Sequence, residues 1–427
     1  MPIAAVPRYL GQDFSSASPG LRFGMYLPLW GVNRRTRELL WSTSDLDYAV
    51  RGQQREEREI KVENKVTALQ QACKLSTIDK NTMKALAQRQ AHSAQATPDV
   101  LTLDVIATAP FTTGLGNEHP LENGFAFLNP YGLPYLPGSG IKGVLRRAAR
   151  ELSGGEWGDT HGWSDEAIHL LGRIELSTID VLFGRETEDG DSEHVRGALS
   201  FWDAIPQIPG DSLAVDVMTP HQSHYYQPQR KERKSRDSTS PHDSGAPNPI
   251  SFLTVPPGTG FAFHVVCDLA HLTRLAPDLA HEQRWQTLLA AAFEHAFEWL
   301  GFGAKTAVGY GAMQVNERAR HQRQQAQAQA AKAQQIASLS PAQQRIAAFV
   351  DALRSQHEQY PKFKDKPNGS YHGKARELAK AAHEGADWSA EEKLAAAQAI
   401  EEWLPKLVAV DIKDERKKLK LSALKGQ

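Results

Sequence analysis

Residues 136–155 read LPGSGIKGVLRRAARELSGG, and the parsing of the whole chain turns on this stretch. Gly138, Ser139 and Gly140 form a small-residue loop that opens a helix, and the Gly154-Gly155 pair closes it. Val144, Leu145, Ala148 and Leu152 fall on one side, where they can pack on a sheet. Lys142, Arg146 and Arg150 recur at i, i+4 and i+8 as a basic stripe on the other side. A helix start leaves backbone N–H groups free at the positive end of the dipole, which suits a phosphate. The alternative is an amphipathic helix whose outer face is Arg-rich and binds nothing. It is not a Walker A loop: neither this stretch nor Lys305-Thr306 has the G-x-x-x-x-G-K-[ST] spacing, so ATP hydrolysis gains no support.

Upstream, Leu101, Leu103, Val105 and Ala107 alternate and predict a strand. Between that strand and the helix lies TTGLGNEHPLENGFAFLNPYGLPYLPGSG, too irregular for one element and too aromatic for a linker, the composition of a binding loop. Downstream, GALSFWDA, SLAVDVMT and GFAFHVVCDL predict three more strands. From Trp285 to Leu300 the apolar residues follow helical spacing, and the helix stops at Gly301. It opens into GFGAKTAVGYG, where Gly303, Lys305, Thr306 and Gly309 combine close backbone approach with a charge; a final strand, AMQVNE, follows. The alternative there is a tight turn whose glycines serve geometry alone.

Residues 219–248 mix Tyr225 and Tyr226 with Arg230, Lys231, Arg233, Lys234 and Arg236, an aromatic-plus-cation recipe for single-stranded RNA. Glu232 and Asp237 interrupt the run, so a solvated loop is the competing reading. His119 and His221 are the candidates for a general base in RNA cleavage, although no base–orienter pair can be read from spacing. His221-x-x-His224 has no Cys partner and no HExxH context, so no metal ligand set is expected.

The 427 residues imply several domains, and 49 Lys+Arg against 50 Asp+Glu leave no global pull toward nucleic acid. Any RNA contact must come from local patches. Two distant cysteines, Cys73 and Cys267, cannot build a disulfide framework. No apolar run is long enough to span a membrane and no secretory signal opens the chain, so a soluble, cytoplasmic protein without cofactor is expected. The expected divisions are 1–97, with a helical insertion at about 47–96; 98–200; 201–318, interrupted by the 219–248 insertion; and 319–427, a solvated linker leading to a small helical module. The last segment, DIKDERKKLKLSALKGQ, is rich in basic residues.

Taken in order, TGLGNEHPLENGFAFLNPYGLPYLPGSGIKGVLRRAA, DVMTPHQSHYYQ, NPISFLTVPPGTGFAF and GFGAKTAVGYG resemble the RAMP superfamily, and within it the sixth subunits of type III-B, Cmr-type CRISPR complexes. The resemblance covers roughly residues 98 to 316. It implies an α+β fold of two tandem ferredoxin-like units, one over 98–200 and one over 201–318. It also implies a non-catalytic subunit that touches guide RNA (crRNA) near its 3′ part and helps position target RNA. Gly138, Ser139, Gly140, Lys142, Arg146, Arg150, Gly303, Lys305, Thr306 and Gly309 would meet the guide backbone. The 219–248 insertion, with Tyr225, Arg230, Lys231 and Arg233, would reach between guide and target. Other RAMP subunits and a small helical subunit would be its protein partners. The rival within the same superfamily is an endoribonuclease using His119 or His221; a third reading is a protein-interaction subunit with little RNA contact. The resemblance is silent on residues 319–427.

Overall fold

The structure is a computed structural model that describes residues 3–32, 39–41, 44–49, 58–121, 123–163, 168–186, 193–220 and 249–426. The chain divides into two units, Met1–Arg320 and His321–Gln427.

The first unit holds six principal strands: β1 (Val100–Ala107), β2 (Leu199–Phe201), β3 (Ala214–Met218), β4 (Ile250–Thr254), β5 (Gly260–Cys267) and β6 (Met313–Val315). Its principal helices are α1 (Asn64–Ala72), α2 (Thr77–Ala96), α3 (Gly138–Ser153) and α4 (Arg284–His295). Four of the strands make one antiparallel sheet in the order β2-β5-β1-β6, while β3 and β4 pair separately as a hairpin. With α3 after β1 and α4 after β5, the succession is βαββαβ.

This arrangement departs from the expected tandem units. β1 and β2, both from residues 98–201, do not touch each other in the sheet. Val265 of β5 lies between them, opposite Leu101 on one side and Phe201 on the other. β6 in turn pairs with β1, Ala107 opposite Met313, and not with β5. Neither half could close its ladder alone, so among the described residues the two halves share one sheet.

The core follows from alternation on β5. Phe261, Phe263, Val265 and Cys267 are buried on one face. The Phe263 ring lies 5.4 Å from Phe293 on α4 and 5.1 Å from Phe302. Trp285, Leu288, Leu289 and Ala292 bury the same stripe of α4, and buried Trp163 donates its indole N–H to the Leu288 carbonyl at 2.8 Å. After His295 the helix widens into a π turn, Ala296–Leu300, which ends at Gly301 with φ 68°.

Near the N-terminus, Pro19–Gly24 is a short helix with Pro at its first position, and Trp30–Val32 is extended. One expectation for this region needs correction. The insertion at about 47–96 is not helical throughout: Ser44–Ala49 pairs with Arg58–Glu63 as a hairpin, in keeping with the Ile60/Val62 alternation. Helix begins only at Asn64. Ala68, Leu69, Ala72, Cys73, Met83 and Leu86 of this region join the main core, so the helical part packs rather than projects. Ser76 and Asp79 form a reciprocal capping box that starts α2.

The second unit has its own core. α5 (Pro341–Gln359), α6 (Ser370–Glu384) and α7 (Ala390–Leu407) bring together Phe349, Leu353, Leu378, Ile400, Leu404 and Leu407; short α8 (Ile412–Lys418) follows. Ser340 and Ser389 cap α5 and α7 through the same reciprocal box. Helix Glu317–Ala337 is largely exposed, as its Gln- and Ala-rich sequence predicts. No helix among the described residues is long and apolar enough to cross a membrane.

Candidate nucleic-acid interface

The start of α3 is fastened to β2. A Cβ on Gly138 would stand 2.2 Å from the Phe201 carbonyl oxygen, so only glycine allows this approach. The Gly138 N–H donates to Asp203 Oδ1 at 2.7 Å, which places a carboxylate against the positive helix end. Ser139 and Gly140 stay exposed beside it, and Lys142 is half-buried.

The rest of the basic stripe is engaged within the protein. Arg146 is buried; its guanidinium pairs with Glu186 and lies 3.8 Å from Asp180. Arg150 reaches the same Glu186 at 3.2 Å. Helical spacing reports which residues share a face, but not that an acid 36 to 40 residues downstream returns to cover that face. Arg146→Met should therefore leave stability within about 1 kcal/mol, because Glu186 is free to hydrate and the apolar stem is kept. Thermal unfolding checks this, and RNA retention by the same variant should be unchanged.

The glycine loop after α4 is built by close approaches. Gly301, Gly303, Gly309 and Gly311 all have positive φ. A Cβ on Gly303 would stand 2.3 Å from the Thr112 carbonyl oxygen. Phe302 is a core residue, not a stacking platform. Lys305, itself left-handed at φ 61°, leans over the β3–β4 hairpin: its Nζ is 5.0 Å from the centre of the Phe252 ring and 2.8 Å from Met218 Sδ. Tyr310 donates its hydroxyl proton to Asp216, and burial, reinforced by that carboxylate, pushes the phenol up to about 12. Thr306 is half-buried, and Gly303 and Gly309 are exposed. Nothing local in the sequence points to Phe252 and Met218 as neighbours of Lys305, or to Asp216 as the partner of Tyr310. The alternation of SLAVDVMT signalled a strand but not what it would lie against.

The two glycine loops do not share a pocket. The α3 start sits at Phe201 on one edge strand, level with Leu101; the second loop leads into Met313 on the other edge, level with Ala107. They stand three strand spacings, roughly 14 Å, apart across the sheet, and offset by six residues, roughly 20 Å, along it.

His119 packs against the N-terminal segment. Its Nδ1 accepts from the Leu121 N–H at 3.1 Å, so Nε2 carries the proton and donates to the Phe23 carbonyl at 3.1 Å. The ring stacks on Phe23 with centroids 3.8 Å apart, and burial lowers its pKa. Both ring nitrogens are thus engaged within the protein. His221, Tyr225, Arg230, Lys231 and Arg233 lie outside the described residues. Cys73 and Cys267 are buried, and burial pushes both thiols up to about 12, so neither is a thiolate at neutral pH. Among the described residues no three His, Cys, Asp or Glu side chains come together as a metal site.

Comparison with known proteins converges on the same stretch. The RAMP superfamily profile matches residues 105–314, nearly the limits of the four-stranded sheet. The chain is 30% identical over 238 residues to the CRISPR system Cmr subunit Cmr6 of Pyrococcus furiosus, covering 46% of this chain and 63% of that protein. It thus spans somewhat less than two thirds of the curated relative. Among solved structures, the type III-B Cmr-beta complex bound to cognate target RNA contains a chain 18% identical, with a TM-score of 0.37 over 58% of this chain and 69% of that one. The crystal structure of Cmr6 from Pyrococcus furiosus is 27% identical, with a TM-score of 0.27 over 50% of this chain and 96% of that one. The sequence motifs around Gly138 and Gly301, and the profile that spans them, establish that this chain carries a RAMP superfamily domain across residues 105–314.

Proposed function

We propose that the chain is a Cmr6-like subunit of a type III-B CRISPR effector complex, built on one ferredoxin-like RAMP unit, that holds guide RNA near its 3′ part and helps position target RNA without a reaction of its own. Its partners in this reading are guide RNA, target RNA, other RAMP subunits and the small helical subunit of the complex. The observation that carries it is the spread of the two lysine-bearing glycine loops over opposite edges of one sheet. A compact substrate needs its contacts within one pocket, whereas an extended RNA backbone is met at separated points along its length. Ser139, Gly140 and Lys142 form one point; Lys305, Thr306 and Gly309 form the other. The insertion at 219–248 leaves the β3–β4 hairpin beside Lys305, where it would reach the strand held there. The engaged nitrogens of His119 weigh against the nuclease reading.

The test is co-purification of the chain with the other subunits and a guide RNA, wild type beside Lys142→Ala/Lys305→Ala. The variant should lose guide RNA, and the salt dependence of binding should fall by about 0.7 per phosphate contact removed, roughly 1.4 in all. Equal RNA retention by the variant would overturn the holding role. Cleavage of precursor RNA by the chain alone would replace it with the nuclease.

A further inference from the structure

Residues 360–376, outside the RAMP domain, read YPKFKDKPNGSYHGKAR and join α5 to α6 in the second unit. The segment is held rigidly. The Asp365 N–H donates to the Leu407 carbonyl at 2.7 Å, and its carbonyl accepts from Ala409 at 3.1 Å. Its carboxylate accepts from the Lys366 and Tyr371 N–H groups at 2.8 and 3.3 Å. A Cβ on Gly369 would stand 2.3 Å from that carboxylate. Asn368, left-handed at φ 68°, donates its N–H to His372 Nδ1 at 3.0 Å, and its side-chain oxygen accepts from Arg376. The single acid of the segment is thus folded into the turn, while Lys362, Lys366 and Lys374 stand exposed.

Aromatic rings alternate with these cations. Phe363 and Tyr371 meet edge to face at 6.3 Å, and Lys374 Nζ lies 5.5 Å from the centre of the Tyr371 ring. Lys374 then forms one rim of a groove of about 400 Å³ between α5 and α6. Arg345 and Glu377 are the other charged rim residues, and Phe349, Leu378 and Ala381 line the apolar part. A continuous path therefore runs from Phe363 through Tyr371 and Lys374 into an apolar slot flanked by cations. The more obvious basic stretch, at the C-terminus, is less available: Arg416 and Lys425 pair with Glu401, and Lys418 pairs with Glu415.

We propose that this surface is a second site for single-stranded RNA. One base enters the groove over Phe349 and Leu378, Arg345 and Lys374 take the phosphates beside it, and the next base stacks toward Tyr371 and Phe363. Glu377 at the rim can accept a hydrogen bond from an exocyclic amine of the inserted base. A duplex hides its base faces and would leave the slot empty, and an acidic peptide would use the cations but not the rings. The choice of RNA over DNA, and nothing else here, rests on the function proposed above.

The test uses the full chain, a short labelled single-stranded RNA and fluorescence anisotropy at rising salt. Arg345→Glu/Lys366→Glu/Lys374→Glu should weaken binding at least tenfold and lower the salt slope by about 2, with thermal unfolding unchanged. Tyr371→Leu should weaken it by about fivefold or more through lost stacking. Unchanged affinity in the triple variant overturns the proposal, whatever Lys142→Ala/Lys305→Ala does, so the two sites fail independently. Equal competition by duplex RNA also overturns it. So does a triple variant that keeps its RNA affinity but no longer enters the complex, which would make the surface a protein-docking face.

Discussion

Gly311→Ala is expected to destabilise the RAMP domain by about 3 kcal/mol or more, the largest effect of any single methyl group in the loop. Gly311 has φ 74°, and its N–H donates to the Pro110 carbonyl at 2.8 Å while its own carbonyl accepts from Phe302 at 2.9 Å. Those two bonds pin the backbone, so it cannot rotate away from a side chain. A Cβ there would stand 1.8 Å from the Phe302 carbonyl oxygen, and Phe302 cannot yield because its ring is packed against Phe263. Gly309 provides the contrast. It also has positive φ, 93°, but nothing lies within 4 Å of its Cβ position. Gly309→Ala should therefore carry only the left-handed penalty, about 1–2 kcal/mol. Thermal unfolding of the two variants separates close approach from backbone strain. Equal losses would mean that φ alone governs the loop.

His372→Ala should destabilise the C-terminal unit by about 3–5 kcal/mol, the range for breaking a buried pair from one side. His372 and Glu415 have side chains only 2% exposed, and His372 Nε2 lies 3.0 Å from Glu415 Oε2. Because Nδ1 accepts from Asn368, Nε2 is the nitrogen that donates. Removing the ring strands the carboxylate with Lys418 alone, opens a void, and frees the Asn368 turn. Glu415→Gln keeps an acceptor for His372 and removes the buried charge, so it should cost only about 1 kcal/mol. The melting transition of the unit should fall by about 15 °C in the first variant and by a few degrees in the second.

The same pair sets a pH dependence. Burial raises the Glu415 pKa, but hydrogen bonds from Lys418 and His372 outweigh it and hold the carboxyl below its ordinary value. A depressed native pKa contributes stability that is present above the unfolded value, near 4.3, and lost as pH falls through the native one. Glu401, held down against its own burial by Lys425 and Arg416, acts in the same direction. The contribution of these two carboxylates should thus be lost as pH falls below about 4. A melting temperature still constant at pH 3 would contradict these assignments.

Much of the RAMP domain was legible because its elements are locally patterned. Period-two alternation located β1 and β5, and helical spacing located α3 and α4 with Gly301 as the stop. The N-terminal strand pair is hard to read from sequence because residues 53–63 are strongly charged and hold no Gly or Pro, the look of a solvated helix, although Ile60 and Val62 alternate there. The α3 stripe was legible as a face but not as a free one. Its Arg146 and Arg150 meet an acid that no local rule points to, and His119 depends on Phe23, 96 residues away.

The sequence by itself determined the four strands of the main sheet, the two core helices and the glycine loops, and with them the superfamily, because these rest on near-neighbour periodicity and on conformations that glycine alone tolerates. Only the tertiary structure decided that β1 and β2 flank β5 in one sheet rather than two, that the glycine loops stand on opposite edges, and which lysines and arginines remain unclaimed. Strand neighbours and charge partners are set by groups distant along the chain, and the free energy that selects them is gained only when the whole unit closes on its core.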